Sequence, residues 1–95
     1  MQISYTAEAL FSLMRLVNFI EDKNTKGAGE RWLDKFELFL IATLPNSLTI
    51  SLCNNQTFKH LNLRCLYYND WVIAFSISND NVLIEALIHK SRIID

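Results

Sequence analysis

Only two glycines and one proline occur among the 95 residues. Little of the chain is therefore spent on irregular structure, and collagen-like or Gly/Pro-rich disordered architectures are excluded. No run is long and apolar enough to span a bilayer. The opening Met1-Gln2-Ile3-Ser4-Tyr5 lacks the basic-then-apolar order of a secretory leader, so a cytoplasmic protein is expected. There are just two cysteines, Cys53 and Cys65, without Cys-x-x-Cys or other metal-type spacing. Their expected state is a pair of buried, reduced thiols, and no zinc or iron–sulfur site, nor any other cofactor, is expected. A basic excess is missing too: nine Lys/Arg stand against ten Asp/Glu, for a net charge of −1. Grip on nucleic acid comes largely from phosphate contacts, so a general electrostatic binder is disfavoured. A local basic site remains open, because Lys59, Arg64, Lys90 and Arg92 share the last 51 residues with only four acids.

Core-forming residues are plentiful. The chain is 51% hydrophobic and 12% aromatic, enough for one core, and its length argues for a single domain, 1–95. Residues 2–5 read as a short strand. Thr6 is a good N-cap, followed by Glu8 where the helix dipole favours an acid. Leu10, Leu13, Met14, Val17 and Ile20 recur at spacings of three and four, which predicts a helix to about Lys23. Phe11, Leu16 and Phe19 widen its apolar surface beyond what one neighbour can cover. Asn24–Gly27 reads as a helix–helix connection. A second helix begins near Ala28, with Trp32, Leu33, Phe36, Phe39, Leu40 and Leu44 inward. Glu30, Arg31, Asp34, Lys35 and Glu37 face water, and Glu30–Asp34 is a like-charge pair one turn apart. Pro45-Asn46-Ser47 ends this helix.

The period then changes to two. Strands are expected at Leu48–Leu52, at about Leu61–Tyr68, at Trp71–Ser78 and at Val82–His89, with a turn over 53–57. Asn69-Asp70 and Asn79-Asp80-Asn81 read as hairpin turns, since Asn and Asp tolerate positive φ. The order is β-α-α-β-β-β-β: an α+β domain with a helical hairpin packed on an antiparallel sheet. The far face of that sheet is expected to be at least partly free.

This layout resembles the toxins of the RelE/ParE superfamily, the plasmid-stabilisation type of bacterial type II toxin–antitoxin modules. The likeness is carried by Leu63-Arg64-Cys65-Leu66-Tyr67-Tyr68, by Val72-Ile73-Ala74-Phe75-Ser76-Ile77, and by Val82 through Arg92. In that family an Arg sits on the second strand of the C-terminal sheet, and the last strand ends in a His followed three residues later by an Arg. Ala9-Leu10, Ala28 and Leu44-Pro45 agree with its N-terminal half. The resemblance implies growth inhibition relieved by a cognate antitoxin. It further implies one of two targets: DNA gyrase, bound by ParE-like members, or mRNA in the ribosomal A site, cut by RelE-like members.

Metal-free RNA cleavage needs a base for the 2′-hydroxyl, an acid for the leaving 5′-oxygen and fixed positive charge for the phosphorane. Arg64 matches the third role, because a guanidinium stays charged and offers two parallel donors. Its bland alternative is a surface ion pair with an acid such as Glu85. His89 matches the acid or base role through the near-neutral titration of imidazole, or else caps the core edge. Arg92 would hold a phosphate or an acid of gyrase, or is a solvated charge. Lys59 does not keep the family spacing to Arg64, and His60 reads as a surface residue. One of Tyr67 and Tyr68 must face the core. Lys90 stands where one RelE-like subgroup has a Tyr after the His, and no Tyr follows Tyr68. These departures and the neutral charge move weight to a gyrase inhibitor or a degenerate toxin, with the mRNA interferase (an endoribonuclease) as the alternative. In each case an antitoxin helix, or a second copy in a homodimer, is expected to cover the over-wide apolar surface of the first helix.

Overall fold

The computed structural model describes residues 1–92. The chain is α+β: a strand, a helical hairpin, then a three-stranded meander, with the helices on one face of the sheet. Strand β1 is Gln2–Tyr5, helix α1 Ala7–Lys23 and helix α2 Ala28–Thr43; a short helix α3 spans Gln56–His60. Strands β2 Arg64–Tyr68, β3 Trp71–Ser78 and β4 Asn81–His89 follow, and a single 3-10 turn covers Lys90–Arg92. The sheet order is β1-β4-β3-β2. The meander pairs antiparallel, but β1 runs parallel to β4 at the edge. The sheet is thus mixed rather than purely antiparallel, because α1 and α2 return the chain past β1 before the meander is laid down.

The helix starts are built as their residues predict. Thr6 Oγ accepts the Ala9 N–H at 3.1 Å and donates to the Glu85 carbonyl at 3.3 Å. One side chain therefore caps α1 and ties it to β4. Glu85 is the extra residue of a bulge, since Ala74 pairs with Ala86 and Phe75 with Ile84. At the α1–α2 turn both glycines of the chain are needed. Gly27 takes φ +87°, and a Cβ on Gly29 would lie 2.6 Å from the Val17 carbonyl oxygen. The Glu21 carboxylate accepts the N–H groups of Gly27 and Gly29 at 2.8 and 2.9 Å, satisfying free donors at the start of α2. These two bonds hold its pKa below the ordinary carboxylate value. Asn69 and Asn79 do adopt positive φ in the two hairpin turns.

The main core lies between the hairpin and the sheet. Ala9, Leu13, Leu16, Phe36, Leu40 and Leu44 meet Leu66, Ile73, Phe75, Val82, Ile84 and Leu87. Tyr68 is packed among Trp32, Phe36 and Phe39, with ring centroids 4.8–5.8 Å apart. Tyr67, one residue earlier, points to the other face and is exposed.

Besides the parallel edge strand, further expectations change: the strand expected at about Leu61–Tyr68 begins only at Arg64, with Asn62 taking φ +60° before it. The strand expected at Leu48–Leu52 is instead a 3-10 turn over Leu44–Thr49, and only Leu52 bridges the sheet, opposite Arg64. Burial here falls on Leu44, Ser47, Ile50 and Cys53, a spacing of three, while Leu48 is 75% exposed. The alternating letters were thus read with the wrong period. Within 53–57, Asn55 is an N-cap: its side chain accepts the Phe58 N–H at 3.0 Å and starts α3. Finally, Cys53 and Cys65 are not reduced thiols but a disulfide, with Cα atoms 4.7 Å apart. Ser51–Cys53 runs back along the edge of β2: the Cys53 N–H donates to the Leu63 carbonyl at 2.9 Å and the Cys65 N–H to the Ser51 carbonyl at 3.3 Å. That pairing brings the two side chains together on the far face. There they form a second small core with Leu63, Val72 and Ala74, flanked by Phe58 and Ala86. Half of the far face is therefore covered. Leu83 of β4 lies outside this second core and is exposed.

Candidate functional site

Arg64, His89 and Arg92 are not brought together. Arg64 opens β2 opposite Phe75, whereas His89 closes β4 opposite Trp71. Those partners lie four positions apart on β3, about 13 Å along the strand. Arg64 is half-buried and already engaged. Its Nη1 donates to the main-chain carbonyls of Leu48 and Ile50, which clamps the 3-10 turn onto the edge of β2. Among the described residues it makes no ion pair with Glu85.

His89 lies against Trp71 in an edge-to-face contact, with ring centroids 5.2 Å apart. Its Nδ1 accepts the Ser91 N–H at 3.2 Å and lies 2.8 Å from the Ser91 hydroxyl. Because a backbone N–H can only donate, this arrangement suits a ring whose proton is on Nε2. Among the described residues Nε2 has no hydrogen-bond partner. Arg92 is exposed on the 3-10 turn that follows, and Lys90 beside it pairs with Asp70 at 3.1 Å. This end of the sheet thus carries His89 and Arg92 together, without Arg64. Lys59 and His60 are exposed on α3.

The apolar surface anticipated on α1 is real. Leu10, Phe11, Met14 and Phe19 are each 45–64% exposed, and on α2 Leu38 and Ile41 are 66% and 61% exposed. Sequence reasoning located this surplus but missed the groove it borders. Tyr5, Leu10, Leu13, Met14, Leu33 and Glu37 line a mainly apolar cleft of about 280 Å³ between α1 and α2. Burial there raises the pKa of the Tyr5 hydroxyl, and the charge of Glu37 adds to the effect. A signal was present in the Glu30–Asp34 pair: with Glu37 it puts three exposed acids on α2, of which Glu37 lines the cleft. Among the described residues, no cluster of His, Cys, Asp or Glu is arranged to hold a metal. No described helix is long and apolar enough to cross a membrane.

No protein-family model matches the chain, and no curated protein matches it.

Proposed function

We propose that this chain is the toxin half of a bacterial type II toxin–antitoxin module and that it acts by binding proteins, as ParE-like inhibitors of DNA gyrase do, rather than by cutting RNA. The observation that carries the non-catalytic part is the separation of Arg64 from His89, with the Arg64 guanidinium occupied by the Leu48 and Ile50 carbonyls. A phosphorane needs charge and proton donor on the same few ångströms. The helical hairpin on a meander, with its surplus of exposed apolar side chains, supports a domain that an antitoxin wraps. The action belongs to the cytoplasm, where gyrase is found. Thiol buffers there reduce accessible disulfides, so this reading favours a bond that is sheltered, and Cys53 and Cys65 are 1% and 8% exposed.

The interferase alternative keeps one favourable observation: His89 ends β4, and Arg92, three residues on, closes the tight turn that follows. Controlled expression of the wild type and of His89→Ala separates the readings. Growth arrest with altered supercoiling, intact translation and no relief by His89→Ala is the expected result. A rapid block of translation relieved by that substitution would establish the interferase instead. Absence of arrest from soluble, folded protein would remove the toxin reading.

A further inference from the structure

We propose that the groove between α1 and α2 is a docking site for a basic amphipathic helix of a partner protein. The helix would lay apolar anchors on Leu10, Met14 and Leu33 and set Lys or Arg side chains against Glu30, Asp34 and Glu37. The proposal rests on the protein-binding part of the reading above and does not depend on toxicity.

The argument is one of shape and charge. The groove is walled by Leu10 and Met14 of α1, 45% and 58% exposed, and floored by Leu13 and Leu33. Two helices side by side leave a furrow of the width that receives a third, read by anchors at i, i+3, i+4 and i+7. Charge on α2 is segregated about this furrow. At 100° per residue, Glu37 and Glu30 fall about 40° and 60° from Leu33, with the exposed Ile41 and then Asp34 further round the helix. Arg31 and Lys35 fall beyond Leu38, on the opposite flank. All three acids are exposed, and none has a salt-bridge partner among the described residues. Arg31 is drawn away to the α1–α2 turn, where it donates to the Lys26 carbonyl at 3.3 Å and the Thr25 hydroxyl at 3.2 Å. The cations of α1 are also turned from the groove: Arg15 lies over the Phe11 ring and Lys23 over the Phe19 ring. An apolar furrow with a negative rim on one side selects a partner that is apolar and positive.

A second copy fits poorly. A two-fold contact through this groove would set the negative rim near its own image, which is repulsive. A head-to-tail contact using Arg31, Lys35 and Leu38 would be heterologous, and would assemble rings or filaments rather than a simple dimer.

The test selects binders from a displayed library of random helical peptides of about four turns on the folded, full-length chain. The enriched peptides are then titrated against variants. Enrichment of Leu or Phe at i, i+3/i+4 and i+7 with flanking Lys or Arg is expected. Affinity should fall by about tenfold or more for Glu37→Lys and for Met14→Asp, and weaken with salt. It should be unchanged for Leu38→Lys, on the far flank of α2. Each variant changes an exposed side chain, and circular dichroism checks its fold. Acidic or charge-indifferent winners, peptides unaffected by Glu37→Lys, failure to select any binder, or a dimer dissociated by Met14→Asp would each overturn the proposal. Loss of growth arrest in cells, with peptide binding intact, would defeat the toxin reading alone.

Discussion

Removing the Cys53–Cys65 bond should lower stability by about 3 kcal/mol and should do so unevenly. The bond closes a loop with a sequence separation of 12. The loop-entropy relation gives about 3 kcal/mol at 25 °C for a loop of that length. For a domain of this size, 1 kcal/mol corresponds to about 4–8 °C in Tm, so a fall of about 12–24 °C is expected. The loss should be local first. The linked segment sits on a core of only five buried residues, Cys53, Leu63, Cys65, Val72 and Ala74. The main core, between the helical hairpin and the other face of the sheet, does not include either sulfur. Calorimetry of the oxidised chain, of the chain in reductant and of the Cys53→Ala/Cys65→Ala double variant gives the magnitude. Hydrogen exchange gives the distribution: the amides of Cys53 and Cys65, bonded to the Leu63 and Ser51 carbonyls, should lose protection, while those of α1 and α2 keep it. Thiol titration of denatured, unreduced protein should find no free thiol. A Tm unchanged in the Cys53→Ala/Cys65→Ala variant, or equal loss of protection in α1, would refute the claim that the cross-link anchors a separate far-face layer.

Gly29→Ala should destabilise by about 1 kcal/mol: the gain in helix propensity, about 0.5–1 kcal/mol, is outweighed by overpacking of about 1–3 kcal/mol. The new Cβ would lie 2.6 Å from the Val17 oxygen, and a urea midpoint that rises would count against this close approach. Glu21→Gln should flatten the acid limb of stability. The folded pKa of Glu21 is depressed, so its contribution is fully present above the unfolded value of 4.5 and is lost as pH falls through the folded one. Wild type and variant should therefore converge in Tm at low pH and differ at neutrality. Arg64→Ala should loosen the Leu44–Thr49 turn at a cost of about 1–3 kcal/mol, because it removes the donor that the Leu48 and Ile50 carbonyls share. Faster exchange confined to residues 44–52 would be its signature.

The helical hairpin and the meander were legible in the sequence because each carries a period that repeats over several turns or pleats. Thr6, Pro45 and the Asn-containing turns mark the boundaries with their own backbone chemistry. The segment from Leu48 to Leu61 was not legible in this way. Its strand-like alternation of Leu48, Ile50 and Leu52 coexists with a spacing of three over Leu44, Ser47, Ile50 and Cys53, and only the second is buried. Which one prevails depends on Arg64, sixteen residues beyond Leu48, whose guanidinium gathers the Leu48 and Ile50 carbonyls. A long-range donor of that kind leaves no local mark. The disulfide was missed for the same reason: Cys53 and Cys65 meet only because Ser51–Cys53 turns back along β2.

The candidate site shows the converse. Arg64 and His89 were expected together from a family resemblance, yet strand register sets them about 13 Å apart along β3. Pattern fixes which strand a residue occupies, and register fixes which end. Arg64 lies at the end where an irregular segment needs its carbonyls satisfied, and a buried acceptor left without a donor costs about 1–3 kcal/mol. A guanidinium recruited to that task has fewer N–H groups free to meet a phosphate. His89 lies at the other end, where the Ser91 N–H orients its ring and Trp71 packs against it. What the sequence offered as one three-residue centre is thus divided between a main-chain staple and a short His89–Arg92 turn. Exposed apolar side chains gather elsewhere, on the hairpin at Leu10, Phe11, Met14, Phe19, Leu38 and Ile41, which is why the proposed function rests on a binding surface and not on those three residues.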